Sequence, residues 1–464
     1  MFTHGFIFAA FLALVEGKLK ILQFTDFHLD VDYSEAKGSR SSKCHASNGT
    51  KSDKLGPYGD YICDSPLKLV QSAIDAASQT VPNPEFIFWT GDSIPHISDY
   101  DEAYVLNSIK LITDAIKQKY PKNVLPAFGN HDYAPADALP DHECPIYAKV
   151  YEMWKDWIGP SAKATFLKGA YYAYKMNANT TVLVLNTNLY YKPNKAIPEF
   201  INPDDPADQF AFMENILTTA ESDGRTVHVI AHIAPGVFEK TPNFSWMVPR
   251  YNQRLINITV KYAKTIGWMI FGHHHSDTFH IIKDPKSALP VQLYLMAPAI
   301  TPWFSTLPGA GANNPSIRVF EYEPKTNVLL DVKTYYANLD ELNQKGSVTG
   351  VWKLEYSMAE EYKIAEVNAA TMNQVLESIK HDRSLLDKYI EYNSVRWNVT
   401  TPYGKFWAAQ VCSIEFPDYE GYDKCMKNPP PMPGSSNLLL PSVPAVFIAV
   451  LFSVVFALNI LIVL

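Results

Sequence analysis

The chain has 464 residues, 47% hydrophobic and 19% charged, which supplies apolar mass for a large core and excludes a disordered chain. Its formal net charge of -8 argues against a general nucleic-acid-binding surface, and no nucleic-acid-binding module is legible. Aromatic residues make up 13%, including 27 Tyr and 9 Trp, which suits half-buried loops or an aromatic-lined cleft, although most of these rings are expected in the core.

Residues 6–15 form an apolar run too short to span a bilayer, followed by Glu16 and Gly17. Residues 1–17 therefore read as a secretory signal peptide, although His4 stands where Lys or Arg is usual, and the mature chain is expected to start near Lys18. A first apolar run over 19–25 ends abruptly in Asp26-Phe27-His28. The polar stretch 32–60 reads as an ordered loop beside whatever those residues form. Ser65 and Pro66 predict a helix start, with Ser65 as N-cap and Pro66 in the first turn. A strand over 86–90 runs into Gly91-Asp92; a helix over 99–119 is stopped by Pro121; a strand over 124–128 runs into Gly129-Asn130-His131-Asp132. Strand and helix alternate, which is α/β wiring.

The helix predicted over 145–158 carries Tyr147, Tyr151, Trp154 and Trp157 at spacings of three and four; a core stripe is favoured over a substrate-facing patch. A strand over 181–188 carries no candidate ligand, a helix is expected over 207–222, and a strand over 227–231 runs into His232. After a helix over 249–266, a short buried strand leads to Gly272-His273-His274-His275-Ser276-Asp277. In extended geometry His273 and His275 project to one side and His274 to the other. Runs over 316–322 and 327–336 alternate as an antiparallel pair. Beyond 338 the pattern turns helical, with amphipathic stretches over 358–365 and 372–392, and the region to 428 is expected to be a small helical subdomain. Residues 429–437 have linker composition, and 438–464 contain no charged residue.

Five sequons follow the signal peptide, at Asn48, Asn179, Asn243, Asn257 and Asn398, which suggests a glycosylated exterior. In an oxidising compartment the locally spaced cysteines are expected to pair, Cys44 with Cys63 and Cys412 with Cys425, leaving Cys144 odd. A zinc-thiolate site is disfavoured because no Cys-x-x-Cys spacing occurs.

Five apolar runs thus end in metal-competent side chains, and in open α/β sheets ligands gather outside the carboxyl ends of strands. Asp-x-His, Gly-Asp, Gly-Asn-His, a lone His and Gly-His-x-His, in that order, resemble the binuclear metallophosphoesterases over residues 18–336. The longer strings Gly91-Asp92-Ser93-Ile94-Pro95-His96, Gly129-Asn130-His131-Asp132-Tyr133, Ala231-His232-Ile233-Ala234-Pro235-Gly236 and Gly272 to Asp277 are similar to the acid sphingomyelinase-like phosphodiesterases. The resemblance implies an α/β layered fold, central β-sheets flanked by helices, with a catalytic domain over 18–337 and the helical subdomain over 338–428.

It further implies that Asp26, His28, Asp92 and His275 hold one divalent ion and that Asp92, Asn130, His232 and His273 hold the other, with Asp92 bridging. His131 becomes the general acid and His96 a second substrate-side histidine, while His274 is expected beside the ligands. Imidazoles with few oxygen ligands favour zinc over magnesium or calcium, and iron or manganese also fit. The implied reaction is phosphodiester or phosphoanhydride hydrolysis by a metal-activated hydroxide.

Acid sphingomyelinase itself carries a saposin-like lipid-presenting module ahead of the phosphoesterase domain, whereas here the first catalytic strand follows the signal peptide. Soluble nucleotide-type or choline-containing phosphodiesters are therefore the expected substrates. The alternatives are sphingomyelin, phosphomonoesters, and a non-enzymatic cell-surface binding role that would tolerate the loss of a ligand; none is lost. Small residues at 434–437 followed by an apolar end favour a glycosylphosphatidylinositol signal over a transmembrane helix, placing the enzyme on the outer leaflet.

Overall fold

The computed structural model describes residues 17–46, 53–198, 201, 203–347 and 349–434. Residues 1–16 of the expected signal peptide, the sequon at Asn48, and the apolar stretch 438–464 lie outside the described residues.

Among the described residues twelve strands occur in chain order: β1 Leu19–Phe24, β2 Phe86–Trp89, β3 Val124–Pro126, β4 Tyr172–Lys175, β5 Thr180–Val184 and β6 Thr226–Ile230. They continue as β7 Ile266–Phe271, β8 Thr278–Lys283, β9 Pro290–Met296, β10 Ser316–Tyr322, β11 Leu329–Tyr336 and β12 Lys353–Ser357. They form two six-stranded sheets, in the orders β12-β11-β10-β1-β2-β3 and β4-β5-β6-β7-β9-β8. The five ligand-bearing runs are thus split three to two between two sheets, not collected along one open sheet.

Side-chain alternation shows how the sheets stack. Val182, Val184, Ile230 and Ile270 point into a core shared with Ile21, Phe24 and Val319 of the first sheet. Their chain neighbours Leu183, Val229, Met269 and Phe271 point the other way, onto Phe210, Met213 and Leu255 of the helices Gln209–Ser222 and Pro249–Lys261. The period of two in strands places alternate residues on opposite faces, so both faces of the second sheet are apolar and covered. On the outer face of the first sheet lie the helices Leu67–Thr80 and Glu102–Lys119, through Ala73, Ile74, Ile109 and Ile112.

β1, β2 and β3 run parallel, with Phe24 opposite Trp89 and Trp89 opposite Pro126, so the three strands end level. β6 and β7 are likewise parallel, with Ile230 opposite Ile270. Gln23 ties the two sheets together, its amide donating to Thr90 Oγ1 at 3.0 Å and to the Phe271 carbonyl at 2.9 Å.

Several elements differ from the sequence expectation. The first helix begins at Leu67, and Pro66 in the cap position has no capping side chain; Ser65 is used differently, its N–H donating to the His28 carbonyl at 3.1 Å. The amphipathic stretch near 372–392 is two helices, Ala369–His381 and Arg383–Asn393, because Asp382 leaves the helix and caps the second through Ser384 and Leu385 N–H. The region past 337 is mainly helical but also supplies β12 to the first sheet, through pairing with β11. The aromatic stripe is core: Tyr147, Tyr151, Trp154 and Trp157 are all buried, with Trp154 against Phe128 and Trp89. Disulfides join Cys44 to Cys63 and Cys412 to Cys425, and Cys144 is a free thiol.

Candidate metal centre and active-site cleft

The seven expected ligands come together in the crevice where both sheets present their strand ends. Asp26 and His28 follow β1, Asp92 follows β2, Asn130 follows β3, His232 follows β6, and His273 and His275 follow β7. Five of them hold left-handed backbone: φ is 52° at Asp26, 42° at His28, 59° at Asp92, 69° at His273 and 56° at His275. Positive φ is uncommon for residues with a Cβ and costs on the order of 1–3 kcal/mol each, so its concentration here marks a place where the packing dictates backbone direction. Glycines make room for the turn. A Cβ at Gly129 would lie 2.1 Å from Asp92 Oδ1, and one at Gly272 would lie 2.1 Å from Thr25 Oγ1.

Two imidazoles have their tautomers fixed from behind. His28 Nδ1 lies 2.6 Å from the Ile94 carbonyl and His232 Nδ1 lies 2.6 Å from the Thr90 carbonyl. A carbonyl only accepts, so each Nδ1 carries a proton, and it is the Nε2 of each ring that faces the crevice. Both Nε2 atoms face one oxygen of Asp92, at 3.3 Å from His28 and 3.1 Å from His232. On the His28 side, His275 Nε2 lies 3.1 Å from His28 Nε2 and 3.4 Å from Asp26 Oδ1. On the His232 side, Asn130 Oδ1 lies at 3.1 Å and His273 Nδ1 at 3.2 Å from His232 Nε2. The residues fall into two groups that share Asp92, and within Asp26, His28, Asp92 and His275, as within Asp92, His232 and His273, the donor atoms all lie inside 4.8 Å.

This donor set fits divalent cations. Burial disfavours imidazolium at His28 and His232, yet Asp92 and its neighbouring carboxylates outweigh it and carry both rings up to about 9. Asp92 is itself held well below the usual carboxylate range, because His232, His131 and His28 overcome its burial. Buried carboxylates that recruit protons onto facing imidazoles lack positive charge at that point, and a metal ion replaces those protons when it binds.

Neighbouring side chains orient these groups; Asp132 and His274 stand within the motifs read from the sequence, whereas Asp137 carried no signal there. Asp132 accepts from the N–H groups of Gly129 and Ser93 at 2.7 Å and of Asp92 at 3.1 Å, locking the β2 and β3 loops together. Asp137 accepts from Asn130 Nδ2 at 2.8 Å, which aims the Asn130 carbonyl oxygen inward. His274 points away from the crevice: its Nε2 accepts from Trp246 Nε1 at 2.9 Å, so Nδ1 donates to Glu239 at 2.9 Å.

His131 and His96 sit at the edge of the centre. His131 N–H donates to Asp92 Oδ1 at 2.9 Å, and its buried Nδ1 has no partner among the described residues. Burial, reinforced by His28 and opposed by Asp92, pushes its pKa down to about 4. His96 is stacked between His28, at 4.1 Å, and Trp303, at 3.6 Å, while its Nδ1 faces Asp64 Oδ1 at 3.0 Å. Asp64 also accepts from Thr301 Oγ1 at 3.0 Å, and Lys43 donates to the His96 carbonyl, so the loop closed by Cys44 and Cys63 braces this histidine. Above the centre opens a cleft of about 230 Å³, walled by His96, His131, Tyr191, Phe244, Trp246 and Trp303.

The chain is similar to known proteins over most of its length. Residues 19–277 match the calcineurin-like phosphoesterase family, and residues 289–430 match the acid sphingomyelin phosphodiesterase C-terminal region. The chain belongs to the calcineurin-like phosphoesterases and is a metallophosphoesterase of the acid sphingomyelinase-like group. It is 36% identical to human acid sphingomyelinase-like phosphodiesterase 3b over 440 residues, covering 93% of this chain and 94% of that protein. It is 36% identical to human cyclic GMP-AMP phosphodiesterase SMPDL3A, over 87% of this chain and 89% of that protein. Sphingomyelinase phosphodiesterase C of Dictyostelium discoideum is 30% identical, over 88% of this chain and 92% of that protein.

Proposed function

We propose that the protein is a cell-surface phosphodiesterase that hydrolyses nucleotide-type or choline-containing phosphodiesters at a two-metal centre. The observation that carries this reading is the convergence on Asp92 of Asp26, His28, Asn130, His232, His273 and His275, directly beneath a cleft with histidines at its edge and aromatic walls. Asp26, His28, Asp92 and His275 would hold one ion, and Asp92, Asn130, His232 and His273 the other. Their imidazole-rich composition favours zinc. When bound, the ions supply positive charge to the phosphoryl oxygens and lower the pKa of water.

The chain's own residues do the rest. Asp92 fixes His131 through its backbone, and the free ring nitrogen of His131 is left to hold a proton for the departing alkoxide. An incoming phosphate anion offsets the neighbouring positive charge that, with burial, holds His131 down, and so favours that proton. His96, clamped between two rings and anchored by Asp64, presents its remaining nitrogen to the substrate side. Trp303, Trp246 and Tyr191 offer flat faces to a nucleobase, and the cleft volume suits a head group rather than acyl chains. The exposed sequon residues Asn179, Asn243, Asn257 and Asn398 suit an extracellular, glycosylated surface, and 438–464 would supply a lipid-anchor signal.

A substrate panel tests the reading, with bound metal measured on the same preparation. Nucleotide-derived phosphodiesters, a nucleotide-linked choline, phosphomonoesters and micellar sphingomyelin are compared by kcat/KM. Soluble diesters are expected to lead; preference for sphingomyelin or monoesters would overturn the assignment.

A further inference from the structure

Lys240 lies on the loop after β6, eight residues beyond His232, and is only 8% exposed. It sits in the wall between the catalytic cleft and a second cavity of about 290 Å³, which Ser394, Asn398, Thr401 and Gln410 also line. The loop is pinned there, since Thr241 Oγ1 donates to the Pro308 carbonyl at 3.0 Å and Gly309 approaches the Lys240 carbonyl too closely for a side chain.

A lysine this buried is rarely left without a compensating anion. The carboxylate next to it in sequence is already committed elsewhere: Glu239 accepts from His274 at 2.9 Å, from Ser276 at 2.5 Å and from Asn393 at 3.0 Å. Among the described residues no carboxylate pairs with the Lys240 ammonium, and no hydrogen-bond acceptor holds it. Burial pulls its pKa down to about 8, opposed by Glu239, so the group still carries charge at neutral pH. An unmatched cation in the wall of a phosphodiesterase cleft supplies what an anionic ligand needs.

We propose that Lys240 forms an anion subsite beside the metal centre, which receives a second negatively charged group on the substrate, distinct from the phosphodiester being cleaved. This rests on the phosphodiesterase reading and sharpens it. Favoured substrates carry another phosphate, as a dinucleotide with a terminal phosphate or a nucleoside polyphosphate does.

The test compares wild type with Lys240→Gln and Lys240→Arg on two dinucleotides that differ only in a terminal phosphate. The readout is the ratio of kcat/KM for the doubly phosphorylated substrate over the singly phosphorylated one. Loss of one charge-assisted contact is expected to lower this ratio about tenfold or more in Lys240→Gln, mainly through KM, and Lys240→Arg should largely preserve it. Binding of adenosine 3′,5′-bisphosphate against adenosine monophosphate, followed by the fluorescence of Trp246 and Trp303, gives the same ratio without turnover. A ratio within twofold of wild type in both measurements would overturn the subsite. Absence of wild-type turnover on every diester would instead overturn the phosphodiesterase reading, and the binding ratio would still decide Lys240.

Discussion

Asp92 is the residue on which the centre turns, since both imidazole groups reach one of its oxygens while its other oxygen holds His131 N–H at 2.9 Å. Asp92→Ala is therefore expected to abolish turnover and to release metal, measured by elemental analysis. His131→Ala should keep its metal and lose roughly 10²–10⁴ in kcat on substrates with a poor leaving group. The loss should be much smaller with p-nitrophenolate, which departs without a proton; equal losses on both would remove His131 from the role of acid. The seven candidate ligands were legible because each is a polar residue placed abruptly at the end of an apolar run. Asp132 was legible only as part of the string after β3, and Asp64, Asp137 and Glu239 not at all, because a lone carboxylate in a loop has no pattern until the fold brings its donors to it.

At the scale of elements, the loops carry function and a few buried contacts hold them. Glu239 joins two loops and a helix: the loop after β6, the turn after β7 through His274 and Ser276, and the helix Arg383–Asn393 through Asn393. Burial opposes its ionisation, but the hydrogen bond from His274 and the neighbouring charges bring its pKa down to about 2 from an ordinary 4.5. A carboxylate depressed in the folded state stabilises above its unfolded pKa, and that contribution fades as pH falls from 4.5 towards 2. Glu239→Gln should thus cost about 3 kcal/mol at pH 7. Urea midpoints of the two proteins should draw together below pH 4, and a gap independent of pH would show that the carboxylate charge is not what stabilises. Elements whose pattern was strong, such as the helix Pro145–Ile158, matched their expected limits. Runs of four to seven residues carry little periodicity of their own, so β4, β8, β9 and β12 escaped notice without the strand-end motifs that marked β1, β2, β3, β6 and β7.

At the scale of the whole molecule, the order of motifs was readable but their division between two sheets was not, because a run of apolar residues does not say which sheet it joins. The end of the described chain is packed, not trailing. Trp407 Nε1 donates to the Pro430 carbonyl at 3.1 Å, Met432 lies against the core, and Gly434 sits beside Arg383. Among the described residues no helix is long and apolar enough to cross a membrane. If a lipid anchor is joined at one of residues 434–437, at most three residues of about 3.5 Å each separate it from the folded body. The catalytic domain would then ride within roughly 10 Å of its anchor, apart from the glycan linker, held close to the outer leaflet. Phosphatidylinositol-specific phospholipase applied to intact cells should release active enzyme that lacks residues 438–464 and loses further mass when its N-glycans are removed. Enzyme that stays on the cells and retains those residues by mass spectrometry would replace the lipid anchor with a transmembrane helix.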